Sequence, residues 1–471
     1  MHIKVLNVIK SLSFSVLFLV PGIQSVLAAP NYVSHCDRLA ASPYDEQRQK
    51  AGVFSRKIKT LWAIRVCTKA YREAPNVPRI QYQLGRSYIA NKQYHKAAVL
   101  LRQAALNDYA AAQSSLGWLY RNGLGVSKDY VKAVKWYRKG AMQGHLSAQS
   151  SMGLMYGNGW GVKKDLPEAL KWYHKAAVEG EPNAQHNMGI MYQRGAGVDK
   201  NLKMALYWYR KAARQGYAHS QNALGHMYAY GEGLPKNSVQ AAKWYRKAAV
   251  QGNVEAQSNL GLAYTTGEGV SKNRIKAAKW TRKAALQGFA PAQSNLAVMY
   301  VFGHGVTKSS VNAVKWYHKA AAQGFPKAQH NLGYMYEKGE GVRKNLIEAL
   351  KWYRKAAKQG YPKSQQKVLV MNIAVTQLQN NPDDAKVQYR IGVLYLGDTD
   401  SPSDFREAFY WFRKAAQQGH SGAQAYLAGL YITGRGVRTS RWKGIFWLRK
   451  AAAQGHTKAE KILGDMNKGK K

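Results

Sequence analysis

Tryptophan returns every 36 residues through the middle of this chain, at Trp136, Trp172, Trp208, Trp244, Trp280, Trp316 and Trp352. A fixed period of this length means a stack of supersecondary units. One unit buries only part of its apolar surface and must be covered by its neighbours. The seven units run from Ala111 to Pro362 without insertion or deletion, and ten of the 36 columns hold a single residue type throughout. Aligned, they read xAQxxLGxxYxxGxGVxKNxxxAxKWYRKAAxQGxx.

The columns predict two helices per unit. In the first unit Ala112, Leu116, Leu119 and Tyr120 share one helical face. The second helix carries Ala133, Val134, Trp136, Tyr137, Gly140 and Ala141 as another apolar stripe. Between them stands Gly123-x-Gly125, followed by Asp129. The equivalents of Asp129 are Asp165, Asn201, Asn237, Asn273, Ser309 and Asn345, all good N-cap residues that open the second helix. Gly144 and its six equivalents close it. Small Ala and Gly columns let helices approach, while Trp and Tyr fill the space between hairpins. The expected fold class is all-α, a right-handed solenoid of stacked antiparallel helix hairpins.

This pattern resembles the Sel-1-like repeat family, a relative of the tetratricopeptide repeats. The motifs that carry the resemblance are Ala148-Gln149-x-x-Met152-Gly153-x-x-Tyr156, Gly159-x-Gly161-Val162 and Lys171-Trp172-Tyr173-x-Lys175-Ala176-Ala177. Two further units follow at Trp411 and Trp447, with Arg413-Lys414-Ala415-Ala416 and Arg449-Lys450-Ala451-Ala452. The second keeps Gly434-x-Gly436-Val437, whereas the first has Gly397-Asp398-Thr399-Asp400 in place of that turn. The resemblance implies a non-enzymatic protein–protein interaction scaffold of the bacterial envelope or host interface, binding partners in a concave groove.

The flanks complete the expected organisation. Lys4 and Lys10, an apolar run over 11–20, and Val26-Leu27-Ala28-Ala29-Pro30 follow the order of a secretory signal peptide over 1–29. An uncleaved anchor is the alternative, but the run is short for a bilayer. A helical cap over 30–78 and a tetratricopeptide-like unit over 79–110, with Leu84-Gly85-x-x-Tyr88 and Tyr94, precede the array at 111–362. An irregular connecting helix over 363–384, two repeats over 385–456 and a C-terminal helix with a basic tail over 457–471 follow. The connecting segment is expected to be a bend between a long stack and a short one, a rigid helical splice rather than a hinge. Export makes a Cys36–Cys67 disulfide the expected state of the two cysteines, with buried free thiols as the alternative. The mature chain is expected to be periplasmic or secreted, with no transmembrane anchoring.

No catalytic constellation stands out, and no cofactor is expected. The Gly-x-Gly pairs follow helices rather than strands and lack a third spaced glycine, so they are turns rather than phosphate loops. Ser364-x-x-Lys367 and Ser440-x-x-Lys443 match the active-site tetrad of penicillin-recognising enzymes, but neither Lys-Thr-Gly nor Ser-Asp-Asn accompanies them. Some cysteine-rich relatives are associated with β-lactamase activity, yet they carry a cysteine pair in each repeat, which this chain lacks. An envelope-associated β-lactamase-like or peptidoglycan-related hydrolase is therefore the alternative class. His186 and His330 occupy one repeat column 144 residues apart and cannot share a metal.

Binding remains. Three columns vary between units and are expected to line the groove. They run from Trp118 to Tyr334, from Arg121 to Glu337, and from Leu124 to Glu340. Candidate contacts are Trp118, Arg121, Trp160, His226, Tyr230, Phe302 and Tyr334, since aromatic anchors dominate interfaces. Packing of some of these against neighbouring turns is the competing expectation. The net charge of +46 is spread along the chain, with +25 of it over 111–362. It concentrates on second helices, at Lys135, Arg138 and Lys139 and again at Lys243, Arg246 and Lys247, with Lys128 and its equivalents before each N-cap. This basic outer face suits an anionic partner such as lipopolysaccharide, anionic lipid or an acidic protein. Nucleic acid is disfavoured in an exported chain whose aromatics serve the repeat core. Simple solvation of a helical surface is the third reading.

Overall fold

A computed structural model describes residues 32–40, 60–368, 383–396 and 402–468. The expected signal peptide, the middle of the cap, most of the connecting helix, the Gly397–Asp400 turn and the last three residues lie outside the described residues. Among the described residues every regular element is a helix, and consecutive helices pack against each other. The fold is an all-α repeat solenoid. The chain divides into two compact units between Trp208 and Tyr209, inside the helix Leu202–Arg214 rather than at the break in repeat rhythm.

The repeats are regular to the residue. In the first, helices Ala110–Asn122 and Tyr130–Met142 form a hairpin. The equivalent pair in the fifth is Val254–Thr266 and Arg274–Leu286. All seven expected N-caps operate. The Asp129 carboxylate accepts the Lys132 N–H at 2.9 Å, and the Asn273 amide oxygen accepts the Lys276 N–H at 2.8 Å. Asp165, Asn201, Asn237, Ser309 and Asn345 repeat the contact.

The Gly-x-Gly turn performs two tasks. The first glycine, such as Gly123 at φ +67°, closes the first helix in the left-handed conformation. The second meets the preceding unit. A Cβ on Gly269 would lie 1.9 Å from the Ser238 carbonyl oxygen, at the start of the previous unit's second helix. The turn thus sets the stacking distance between hairpins. A third glycine lies within the first helix, where a Cβ on Gly117 would sit 2.8 Å from the Tyr137 ring. That ring closes the hairpin.

The first unit begins with Tyr32–Ala40 and Thr60–Glu73, joined by a Cys36–Cys67 disulfide with Cα atoms 4.8 Å apart. Asp37 is buried beneath them and accepts from Arg79 and Gln83 on the next helix, Pro78–Ala90. The expected tetratricopeptide-like unit is the hairpin of that helix with Tyr94–Leu106. Further on, Trp208 is buried against Ala176, Ala177 and Met191, as an inter-hairpin anchor should be.

In the second unit, one core joins Leu346, Leu350 and Tyr353 of the seventh repeat to Ile391, Phe412 and Leu427 of the last two. Lys344, expected as part of the basic surface, is instead buried, and its ammonium donates to the Tyr395 carbonyl at 3.1 Å. An Arg343–Glu407 ion pair lies beside it. The other six lysines of this column are exposed, whereas Lys344 is covered by Tyr395 of the helix Ala385–Leu396, whose ring lies 5.1 Å from its ammonium.

Candidate partner-binding face

Two ladders of polar contacts run through the stack, and neither was apparent in the repeat pattern. The repeated Gln at the start of the first helix is buried in every unit of the array except the second, where Gln149 is half-buried. Gln113 donates to the Ala105 carbonyl of the preceding unit at 3.2 Å and accepts from Gln143 at 2.8 Å. Gln257 does the same with Ala249 at 3.1 Å and Gln287 at 2.8 Å. The second ladder crosses the outer surface, where Arg246 donates to the Tyr264 hydroxyl at 2.6 Å and Arg282 to that of Tyr300 at 2.7 Å.

The second ladder changes the meaning of the basic face. Lys135, Arg138 and Lys139 are exposed, as are Lys243, Arg246 and Lys247. Yet Arg138 is engaged by Tyr156 at 3.2 Å, and Lys139 lies over the Trp136 ring at 5.5 Å. Lys247 sits 4.3 Å from the Trp244 centroid, with the same pairing at Lys283, Lys319 and Lys355. An exposed cation over an indole contributes about 0.5–1 kcal/mol. Much of the per-unit charge thus knits hairpins together and covers tryptophan.

The candidate groove residues separate into two groups. Trp118 and Trp160 are half-buried and packed. Trp160 stacks on Tyr130 with centroids 5.3 Å apart and planes 9° from parallel, and Trp118 lies 6.5 Å from Tyr94. Both pack on the first residue of the preceding unit's second helix, so the expectation that they are exposed contacts is corrected. Arg121 is likewise half-buried, near the Tyr137 hydroxyl. In the second unit Tyr230 is 69% exposed, Phe302 64% and Tyr334 40%. His226 is exposed beside Tyr230 at 4.4 Å, and His304 stacks on Phe302 at 5.6 Å.

The two serine–lysine motifs have structural duties. Ser440 caps the helix Arg441–Ala452 by accepting the Lys443 N–H at 3.4 Å. Ser364 is fully buried with its hydroxyl 2.8 Å from His330 Nδ1, while Lys367 pairs with Glu337 at 2.7 Å. Burial, with Lys363 and Lys367 nearby, holds the His330 imidazole below its ordinary pKa. Ser364 occupies the column that is alanine in most units, and His330 satisfies the hydroxyl this substitution buries. Among the described residues no group of His, Cys, Asp and Glu is placed to hold a metal ion. No helix there is long and apolar enough to cross a membrane.

Stacked hairpins with an invariant packing framework and variable first-helix columns define a helical-repeat interaction scaffold. The Sel1 repeat matches nine stretches, 110–145, 146–180, 182–217, 218–253, 254–289, 290–325, 326–361, 385–420 and 421–456, and the chain belongs to the Sel1 repeat family. A crystal structure of a protective antigen present in uropathogenic Escherichia coli strains, displaying an SLR fold, is similar at 35% identity. That match covers 86% of this chain and 82% of the other, with a TM-score of 0.51. A Sel1 repeat protein from Oxalobacter formigenes is 34% identical over 51% of this chain and 96% of its own, with a TM-score of 0.46. No curated protein matches. Sel1-repeat proteins generally mediate protein–protein interactions, and the scaffold is typically non-enzymatic.

Proposed function

We propose that this chain is an exported scaffold that binds other proteins along the face of its first helices, at the bacterial envelope or host interface. The observation that carries this reading is the exposure of Tyr230 and Phe302, at 69% and 64%, on first helices of the regular array. Aromatic side chains left in water on a rigid surface are the usual anchors of an interface. Export is supported by the basic and apolar order of residues 4–30, by the Cys36–Cys67 disulfide, and by the similarity to an antigen of uropathogenic strains.

Docking of the second-helix stripe on an anionic surface such as lipopolysaccharide is the weaker reading. Four of its six named cations already contact Tyr or Trp of the same chain. Nucleic acid is disfavoured for the same reason, and hydrolysis by the buried, satisfied position of Ser364. The test is capture by the chain from residue 30 onward, from envelope and host extracts, beside a Tyr230→Ala, Phe302→Ala variant. A protein held by the first and lost by the second supports the reading. Equal capture by both overturns it.

A further inference from the structure

One repeat lacks the ring that closes every other hairpin of the array. The column of Tyr137, Tyr173, Tyr209, Tyr245, Tyr317 and Tyr353 holds threonine at Thr281. In four of the other repeats the ring lies over the helical glycine of the first helix, as Tyr245 covers Gly225 and Tyr353 covers Gly333. Its hydroxyl then reaches two places. Tyr317 accepts from Asn331, fourteen residues later on the next unit, at 3.3 Å. Tyr353 donates to Glu337, sixteen residues earlier on its own first helix, at 2.6 Å.

At Thr281 those positions are Asn295 and Thr265, and both line a cavity of about 200 Å³ that also includes Thr281. Its apolar wall is formed by Leu262, Val298 and Met299. The space is therefore the vacated berth of a phenol, with Asn295 in the place of Asn331 and Thr265, whose hydroxyl donates to the Gly261 carbonyl at 2.9 Å and can still accept, in the place of Glu337. An apolar cavity of about 150 Å³ is large enough to admit benzene. The cavity opens where Leu262, Thr265 and Val298 stand, on the variable columns of the first-helix face. Its rim carries Lys272, Arg274 and Lys327, all exposed.

We propose that this cavity is a docking site for the tyrosine side chain of an acidic segment of a partner protein. The phenol replaces the missing ring of the repeat, and carboxylates flanking it meet the three rim cations. The inference rests on the first-helix face being the binding face, and it names the anchor that face receives.

The test uses the full chain with two probes, p-cresol and the peptide acetyl-Glu-Asp-Tyr-Asp-Glu-amide. Saturable binding of both is expected at millimolar concentration or below. Thr281→Tyr refills the berth from within, so it should weaken both by at least tenfold while the melting temperature stays level or rises. The peptide with Ala for Tyr should bind at least tenfold more weakly than the parent. Lys327→Glu, a surface change that leaves the berth intact, should weaken the peptide but not p-cresol. No saturable p-cresol binding, or full binding to folded Thr281→Tyr, would overturn the proposal. Equal binding of the Ala and Tyr peptides would do the same. A captured partner that depends on Tyr230 and Phe302 but ignores Thr281→Tyr removes the anchor and leaves the face. A partner indifferent to Tyr230 and Phe302 removes the face, while p-cresol reports on the cavity independently.

Discussion

Gln143 donates from its amide to the amide oxygen of Gln113 at 2.8 Å, spanning the two ends of one hairpin. The bond recurs at Gln251 with Gln221, Gln287 with Gln257, Gln323 with Gln293 and Gln359 with Gln329. The second repeat departs from it. There the donor position is Glu179, whose carboxylate has no proton to give, and the Gln149 Oε1 is buried without a partner. Glu179→Gln should restore the bond and stabilise the chain by about 0.5–1.5 kcal/mol. Urea denaturation at neutral pH reads this directly, and no gain would show that the ladder carries no net stability.

The turn glycines should separate into two energetic classes. Gly269 and Gly252 share a left-handed backbone, at φ +72° and +93°. A Cβ at Gly252 meets nothing within 4 Å, whereas one at Gly269 strikes the Ser238 carbonyl. Gly252→Ala should therefore cost only the conformational penalty of about 1–2 kcal/mol. Gly269→Ala adds an overpacking cost of about 1–3 kcal/mol. Equal losses in thermal melts would mean that the second glycine does not set the inter-unit distance.

Acid should loosen the hairpin that His145 caps. Its Nδ1 accepts the Ala148 N–H at 3.3 Å, which requires the neutral ring, and burial pushes its pKa down to about 4. The unfolded chain binds this proton near pH 6.5. The unfolded state thus holds more protons between pH 6.5 and 4, and stability falls as pH drops through that window, by about 3 kcal/mol in all. Asn253 performs the same cap with an amide that does not titrate, at 2.8 Å. His145→Asn should reduce the slope of stability against pH between 4 and 6.5, leaving the share of other depressed histidines such as His330, and an unchanged slope would remove His145 as a contributor.

The cap should depend on its disulfide. Cys36 and Cys67 join helices that cover Ile80 and Leu84 of the first full hairpin. Closing this loop is worth about 3–4 kcal/mol in the chain-entropy model. Reductant or Cys36→Ser should expose the helices Tyr32–Ala40 and Thr60–Glu73 to proteolysis while the repeats beyond them persist, since each unit contacts only its neighbours. Intact-mass measurement without reductant should find both thiols oxidised.

The helices, their caps and their turns were legible because each depends on residues close in sequence. Asp129 caps Lys132 three residues on, and Gly123 ends the helix it follows. The ladders were not legible in that way. Gln113 and Gln143 are thirty residues apart, and Arg246 and Tyr264 eighteen, so each column looked like ordinary surface or packing until neighbouring hairpins were stacked. Trp160 misled because its column varies, yet its ring stacks on Tyr130 at the start of the preceding unit's second helix. Lys344 misled because its burial comes from chain beyond the regular array. Thr281 was visible as an exception to a tyrosine column, but only the positions of Thr265 and Asn295 show what the missing ring leaves behind.

The central claim is that specificity lies on the first-helix face and not on the basic second helices. The most direct measurement is the affinity of a captured partner for two variants of equal thermal stability, Tyr230→Ala with Phe302→Ala, and Lys243→Glu with Lys247→Glu. The aromatic pair should lose about 2 kcal/mol or more of binding free energy, at the level of interface hot spots. The charge reversals, at an exposed rim, should change it by less than about 1 kcal/mol at physiological salt. The opposite order, with the lysine variant losing the partner and the aromatic variant keeping it, would contradict the account.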